Sequence, residues 1–400
     1  MTTIDRPAPP AIPNTYEDIL AATRALVPEL RARSAEIEHT GDLPPNVVEA
    51  LRGAGVFRMG FGREFGGPGL TSSQQTTIVE TVAYGDASAG WCSMIGMDTG
   101  LYTLRDDVVR ALFPSLDVIA AGMLLPAGHA NRVPGGYRLS GRWYFASGIT
   151  HADWVSSGAF VHSNGEPETV DGRPRTRILM TRPDQVEILG DWNATGLAGS
   201  GSVDYLIHDV FVPEEHTFSL AEPAGRTGAL AASDAPMRKM PAVALGVARA
   251  ALDHVREIAR TSSTTRRETG TSWADGYRVQ TALGESEMEY LAMHHGVHGS
   301  LEARWERMEA GATFDDLSPD ERVDTMLTRR HAMQGARTIV RRLYDLMATQ
   351  AIYATSMDRW LRDTETMCQH VMAQERIAQS AGAFLLGGKP LFPLALGVTN

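Results

Sequence analysis

The sequence predicts an α+β protein in which an N-terminal helical domain, a small central β-barrel or β-sandwich domain and a C-terminal four-helix bundle follow one another. Three observations predict this order. Apolar residues recur at helical spacing before about residue 113 and again after about residue 236, short β-rich segments fill the middle, and 400 residues are too many for one simple core. The predicted boundaries are a flexible N-terminus at 1–14, then domains at 15–113, 114–225 and 226–400.

The N-terminal region has the spacing and the end signals of helices. Apolar residues between Leu20 and Leu30 repeat near every third or fourth position. Pro45 suits the first turn of a further helix, and Gly53 and Gly55 follow that helix as stop signals. We therefore expect several helices before residue 113.

The middle and the end of the chain differ in their periodicity. The strings "GYRLSGRWYFAS", "TRILMTR" and "SVDYLIHDVFVP" are short and rich in β-forming residues, and Pro134 to Gly136 predicts a turn between two strands. Further along, Pro241 suits a first helical turn, and Ser318 with Glu321 forms a predicted capping box. This pattern predicts strands followed by long amphipathic helices.

The composition excludes several classes of function. The net charge of -11 leaves no basic excess to neutralise nucleic-acid phosphates. The sequence shows neither an apolar run of membrane-spanning length nor the basic-then-apolar order of a signal peptide. Only two cysteines are present, Cys92 and Cys368, so a disulfide framework is not expected. The expected location is the cytoplasm.

Several strings in the chain resemble the acyl-CoA dehydrogenase superfamily. "EFGGPG" and "DASAGW" resemble its N-terminal helices, "GSGSVDYLIHDVFVPEE" resembles the end of its β domain, and "RWLRDTETMCQH" resembles the helix that carries its catalytic end. The resemblance covers nearly the whole chain and implies the acyl-CoA dehydrogenase fold. It also implies a homotetramer.

Three positions are similar to the flavin-dependent monooxygenases of this superfamily rather than to its dehydrogenases. Pro126 and Gly128 precede "GGYRLSGRWYFASG", a combination typical of the monooxygenases. The dehydrogenase glutamate, counted from Asp363, falls on Val371, and the other base position falls on Lys239. The region "QAIYATS" lacks the two glycines with which dehydrogenases hold FAD from a neighbouring subunit.

The resemblance implies the oxygenase component of a two-component flavin monooxygenase. Such an enzyme receives reduced flavin, FMN or FAD, from a separate flavin reductase, and uses O2 to hydroxylate or N-oxidise a small organic substrate. Two alternatives remain open. One is an acyl-CoA dehydrogenase with a relocated base, and the other is a catalytically silent flavin-binding subunit.

The resemblance also implies where the flavin binds. The flavin-binding strand is expected to consist of Trp143, Phe145, Ala146, Ser147 and Gly148. A hydroxyl and a closely approaching backbone would supply hydrogen bonds to the flavin edge and help to exclude water. We expect Ser147 to donate such a bond and Gly148 to permit the close approach.

Two further side chains are candidate catalytic residues. His370 is expected on a helix, on the same face as Asp363, Met367 and Gln374, where an ordinary pKa of about 6.5 would let it exchange a proton near neutrality. Asp98 lies near the position at which phenol-hydroxylating members carry a histidine. It is therefore a candidate for substrate activation.

No metal site is expected. His294 and His298 stand four residues apart, a spacing at which two imidazoles can share a metal. Two ligands are too few for a site, and the sequence places no cysteine or carboxylate to complete one. A solvated helical face is the expectation for this segment.

Overall fold

A computed structural model gives the structure of the chain and describes residues 12–170, 172–190, 192–220, 228–261, 272–353 and 355–396. Residues 1–11 of the predicted flexible N-terminus lie outside the described residues, as does the predicted boundary at residue 225. Within the described part of the chain, none of the helices combines the length and the apolar character needed to cross a membrane.

Five helices form the N-terminal region, as predicted. Thr15 begins the first helix by accepting a hydrogen bond from the amide of Asp18. Asp86 separates the third and fourth helices, since its carboxylate accepts the amide of Ala89 at the start of the fourth. The helices are α1 (Tyr16–Thr40), α2 (Pro45–Gly53), α3 (Ser72–Gly85), α4 (Ala87–Gly96) and α5 (Asp106–Leu112).

The predicted central β domain is confirmed as an eight-stranded mixed sheet in the described residues. β1 pairs in parallel with β3 and antiparallel with β2, and the order along the sheet is β10-β7-β3-β1-β2-β9-β8, with β4 on β3. β5 and β6 form a separate pair. The strands are β1 (Ala120–Val133), β2 (Gly136–Ala146), β3 (Trp154–Ser163), β4 (Glu166–Pro167), β5 (Thr169–Val170), β6 (Arg173–Pro174), β7 (Thr176–Thr181), β8 (Glu187–Leu189), β9 (Val203–Pro213) and β10 (Thr217–Phe218).

The C-terminal region is helical, as predicted. Ser318 caps α9 together with Glu321, so the capping box is confirmed. α7 packs against α3 on one side and α9 on the other, which joins the two helical regions. The helices are α6 (Ala235–Arg238), α7 (Pro241–Thr261), α8 (Tyr277–Glu309), α9 (Pro319–Met347), α10 (Ser356–Met367) and α11 (Glu375–Leu385).

The helices and the sheet have different cores. A single apolar cluster runs from the N-terminal helices through α7 into α9 and α10. The sheet buries a cluster of its own around Tyr137, Trp143 and Tyr205, each of which is fully buried. A third apolar cluster, which includes Phe113, Trp154 and Phe218, joins the N-terminal helices to the sheet, so apolar packing and polar contacts together hold the sheet on the helices.

The segment 195–202, which leads into β9, is held against α10. Asp363 accepts the amide of Leu197 at 2.7 Å, and Arg362 donates to the carbonyl of Thr195 at 3.0 Å. Gly196 lies so close that a Cβ atom there would meet the carbonyl oxygen of Arg362 at 2.1 Å. Burial raises the pKa of Asp363 to about 7, and the bond from Leu197 opposes this shift only in part.

We predict that Asp363→Asn makes stability less dependent on pH. An aspartate in the unfolded chain ionises at about pH 4, whereas Asp363 in the fold ionises at about 7. The folded state therefore binds more protons in this window, and wild-type stability falls as the pH rises through it. The variant keeps an acceptor for Leu197 but cannot ionise. Its unfolding midpoint relative to wild type should rise between about pH 4 and pH 7 and then level off.

Thermal unfolding, followed by circular dichroism across this pH range, measures the effect. Asp363→Ala is the matched control, because it removes the acceptor as well as the charge. It should be less stable than the asparagine variant at every pH, by roughly 1–3 kcal/mol for the unpaired buried amide. Parallel pH profiles for wild type and Asp363→Asn would contradict the prediction.

Candidate active site

The end of β2 contains a bulge that turns two aromatic residues outward. Trp143 and Ala146 pair with β9, but the register shifts between them, and Phe145 has a φ of 62°, which is unusual for a residue other than glycine. As a result Tyr144 and Phe145 are 46 % and 61 % exposed, whereas Trp143 and Ala146 are fully buried. Strained backbone of this kind concentrates at functional sites.

A cavity of about 480 Å³ opens beside this bulge. Its lining includes Arg142, Trp192 and Ser202. The ring of Trp192 meets the exposed ring of Phe145 edge to face, with 6.3 Å between the ring centroids. The volume lies in the range of small-molecule sites, and the ring of Trp192 in the wall suits a flat ligand.

A chain of buried hydroxyls leads from this cavity into the protein. Ser147 accepts a hydrogen bond from the indole nitrogen of Trp91 at 3.0 Å, and its Oγ lies 2.7 Å from Oγ of Ser202. Oγ of Ser202 lies 2.7 Å from Oγ of Ser200 in turn. Since Ser202 also lines the cavity, the chain connects the cavity to Trp91.

The five residues expected to bind flavin have different environments. Trp143 is fully buried, donates to the carbonyl of Gly158 at 2.7 Å and stacks on Tyr205, so it supports the strand from within and offers a ligand no surface. This corrects the expectation for Trp143. Ala146 is also fully buried, and Gly148 is buried in a left-handed turn, φ 73°. Phe145 is the one of the five with a widely exposed side chain.

The expectation that His370 lies on a helix is wrong. α10 ends at Met367, and His370 instead precedes the short 3-10 turn Val371–Ala373. Glutamine side chains donate hydrogen bonds to backbone carbonyl groups that backbone amides would have paired in a continued helix. Gln374 donates to the carbonyl of Cys368 at 2.7 Å, and Gln334 of α9 donates at 2.8 Å to the carbonyl that ends the turn.

The electrostatic environment of His370 differs from the expectation as well. Burial, together with the positive charge of Arg329, lowers the pKa of His370 to about 4. Its Nδ1 accepts a hydrogen bond from the amide of Met372 at 3.3 Å. The imidazole is therefore neutral near pH 7, and this bond places its single proton on Nε2.

Trp91 connects His370 with Ser147. Its ring packs edge to face against the ring of His370, with 5.5 Å between centroids, while its nitrogen donates to Ser147. Sequence reasoning missed Trp91, although it ends the string "DASAGW". A tryptophan after a run of small residues was the available signal.

Asp98 has a different partner. It lies in the 3-10 turn Met97–Leu101 that follows α4, seven residues after Trp91. Asp98 is buried and forms an ion pair with Lys239, whose ammonium group also donates to the carbonyl of Pro236 at 2.9 Å. Burial raises the pKa of Asp98 to about 6, although Lys239 opposes the shift. The described hydrogen bond of its carboxylate is thus made with Lys239 and not with Ser147 or His370.

The expectation that no carboxylate accompanies His294 and His298 is wrong. Glu80 of α3 lies beside both, and the ligand atoms of the three residues lie within 4.8 Å of one another. Glu80 is more than two hundred residues away in the sequence, so spacing could not reveal it. His298 is also largely buried, with 13 % of its side chain exposed, which does not fit a solvated face.

A second cavity of about 360 Å³ lies between α1, α3, α7 and α10. Arg31, Asp253 and Trp360 are among its lining residues. None of the sequence-predicted site residues lines either cavity, but Trp192 and Ser202 of the first cavity contact Phe145 and Ser147. The strained bulge and the hydroxyl chain are at the other cavity. We therefore place the candidate active site beside Phe145.

Comparisons with known proteins agree with the fold. The family profile "Acyl-CoA dehydrogenase, N-terminal domain" matches residues 14–106, and "Acyl-CoA dehydrogenase, C-terminal domain" matches residues 240–375. The indole-3-acetate monooxygenase of Acinetobacter baumannii is 27 % identical over 383 residues, which is 92 % of this chain and 94 % of that protein.

Two further similarities concern flavin. The FADH(2)-dependent resorcinol hydroxylase, oxygenase component, of Rhizobium sp. is 30 % identical over 202 residues, 48 % of this chain and 46 % of that protein. The structure of XiaF from Streptomyces sp. in complex with FADH2 and glycerol has a TM-score of 0.84 at 20 % identity, and the match covers 94 % of this chain and 96 % of that one. The chain belongs to the acyl-CoA dehydrogenase superfamily and is one of its flavin-dependent monooxygenases.

Proposed function

We propose that this monooxygenase takes reduced flavin from a separate flavin reductase and uses O2 to hydroxylate or N-oxidise a small aromatic substrate that carries an anionic group. The observation that carries the proposal is the outward-facing bulge of Tyr144 and Phe145, connected through Ser147 and Trp91 to His370. The relative named for indole-3-acetate supports an aromatic acid as the substrate class.

The residues beside the bulge fit a flavin, FMN or FAD. Phe145 and Trp192 offer aromatic surface to a flat ring system, and Ser202 brings a hydroxyl to the cavity wall. Arg142 supplies a cation at the same wall, although it also pairs with Asp204 at 2.8 Å. Reduced flavin supplies the electrons with which O2 is activated. The buried hydroxyl chain then provides hydrogen bonds on the protein side.

His370 acts in this proposal as a hydrogen-bond donor. Because its pKa is lowered to about 4 and Nδ1 already accepts from a backbone amide, Nε2–H is the group left for substrate or oxygen. A fixed donor in a buried site stabilises negative charge that develops during a reaction. Trp91 fixes the ring by packing against it, so the donor need not reorganise.

A buried group of arginines, of which Arg329 acts on His370, supports an anionic substrate. Arg238 and Arg304 share one carboxylate, Asp234, and all three are almost fully buried. Arg329 is buried as well, and its Nε has no hydrogen-bond partner within the described residues. Burying a guanidinium without full pairing is costly, so an incoming carboxylate would find favourable charge here.

The two alternative functions lack a supporting observation. Val371 occupies the dehydrogenase base position and cannot accept a proton, while the carboxylate of Asp98 is engaged by Lys239. A catalytically silent subunit would not need the strained bulge or the contacts that connect Ser147, Trp91 and His370. Oxygenation of a substrate by reduced flavin and O2 would distinguish the proposal from both alternatives, since neither alternative predicts it.

We also propose a homotetramer in the cytoplasm. Large apolar side chains are exposed on the C-terminal helices and after them, including Met288 at 69 %, Leu386 at 89 % and Leu391 at 69 %. Apolar surface that recurs along one region is typical of subunit interfaces. Both cysteines are free, which is compatible with a reducing compartment.

The first prediction from the proposed function concerns flavin turnover. The purified protein should carry little flavin, bind reduced FMN or FAD more tightly than the oxidised forms, and convert an aromatic acid such as indole-3-acetate when O2 is added. Anaerobic titration with each reduced flavin, followed by an oxygen pulse and product analysis, tests this. A stoichiometric yellow protein that bleaches on addition of an acyl-CoA would instead identify a dehydrogenase.

The second prediction concerns His370→Ala. Loss of one positioned donor should lower product formation roughly 100- to 1,000-fold, and hydrogen peroxide should appear instead. Because Nε2 carries its proton on both sides of a pKa of about 4, the difference in activity between wild type and His370→Ala should show no titration near pH 6.5. Product and peroxide per reduced flavin are measured in parallel, together with flavin affinity.

His331→Ala is the control, because His331 is an exposed histidine of α9 outside the site. Ser147→Ala provides a comparison with a different expected signature. It removes the acceptor of Trp91 and the contact with Ser202, so it should raise peroxide release and weaken flavin binding together. An unchanged product yield in His370→Ala would refute the catalytic role.

The third prediction concerns assembly. A carboxylate in an apolar interface is costly, so Leu386→Glu should shift the protein towards smaller species in sedimentation velocity. Val170→Glu is the matched control, because Val170 is a 51 % exposed apolar residue of the β domain. A wild-type protein that sediments as a monomer at micromolar concentration would disprove the homotetramer.

A further inference from the structure

A compact group of three possible metal ligands lies between α3 and α8, outside the candidate active site. Glu80 comes from α3, and His294 and His298 come from α8. Oε2 of Glu80 lies 3.5 Å from Nε2 of His294 and 3.6 Å from Nε2 of His298. Two imidazole nitrogens and one carboxylate oxygen therefore point at the same small volume.

We propose that Glu80, His294 and His298 bind one divalent transition-metal ion, with Zn²⁺ as the best match. Two histidines and one carboxylate are a common ligand set for zinc. Metal–ligand bonds of about 2.0–2.1 Å in a tetrahedral arrangement place the ligand atoms about 3.3 Å apart. The observed separations of 3.5 and 3.6 Å are close to this, so a small adjustment of side chains would close the site.

The second hydrogen bond of His298 orients it for this role. The hydroxyl of Ser73 donates to Glu302 at 3.1 Å and lies 2.8 Å from Nδ1 of His298. Because its one proton is used on Glu302, Ser73 accepts the proton of Nδ1, and Nε2 is left with a lone pair. That Nε2 is buried and has no hydrogen-bond partner among the described residues. Outer contacts of this kind orient metal-binding histidines.

Tyr290 fixes the carboxylate in a similar way. Its hydroxyl donates to Oε1 of Glu80 at 2.7 Å, which leaves Oε2, the oxygen that faces both histidines, for the metal. The side chain of His294 is 35 % exposed, so the ion has access from solvent and a water molecule can complete the coordination. Since the ligands belong to α3 and α8, a bound ion ties the N-terminal and C-terminal helical regions together.

The test is metal binding to the full chain after treatment with a chelator. Zn²⁺ is titrated by calorimetry, and Co²⁺ is titrated by its visible absorption, which reports tetrahedral coordination. We expect one ion per chain and a higher unfolding temperature with Zn²⁺. Ser73→Ala should weaken binding about 10- to 100-fold, and Glu80→Gln and His298→Ala should weaken it at least as much.

His295→Ala is the matched control, since His295 is the exposed neighbour of His294 on the same helix and is not among the three ligands. It should bind Zn²⁺ like wild type. Circular dichroism verifies that each variant is folded, and Ser73→Ala remains informative if loss of a ligand prevents folding. Absence of stoichiometric binding at micromolar Zn²⁺ would overturn the proposal. Equal affinity in Ser73→Ala, Glu80→Gln and wild type would also overturn it.

Discussion

The hydrogen bond from the amide of Leu197 to the carboxyl group of Asp363 ties the segment that leads into β9 to helix α10. An apolar cluster that includes Phe113 and Trp154 packs the N-terminal helices on the sheet, and this hydrogen bond adds a polar contact between the sheet's segment and the C-terminal helices. The segment held by this bond continues to Ser200 and Ser202, while the chain after Asp363 continues to His370. One buried hydrogen bond thus positions the hydroxyl chain and the histidine at the same time.

Trp91 adds the N-terminal helices to this arrangement. It packs against His370 and donates to Ser147, so three distant parts of the chain meet at one indole ring. Burial and the positive charge of Arg329 explain why His370 stays neutral, and its remaining proton on Nε2 is free to serve as a donor. Low polarity and fixed hydrogen bonds are conditions under which reduced flavin and oxygen can be protected from water.

The same scaffold serves another chemistry in the dehydrogenases of this superfamily. In the segment after α10, the family resemblance puts the dehydrogenase carboxylate at the position of Val371, whose side chain cannot accept a proton. The turn that carries Val371 is held by Gln334 and Gln374, so the backbone remains ordered without that base. Fold and reaction are therefore separable here, and a few side chains decide the reaction.

The sequence by itself determined features that depend on neighbouring residues. Helical and strand periodicity gave the order of the three parts, Ser318 and Glu321 indicated a helix start, and the count from Asp363 located Val371. Only the tertiary structure revealed the outward turn of Phe145, the lowered pKa of His370 and the approach of Glu80 to His294. These features arise from burial, from strand register and from contacts between residues far apart in the chain, and local sequence patterns carry no information about such contacts.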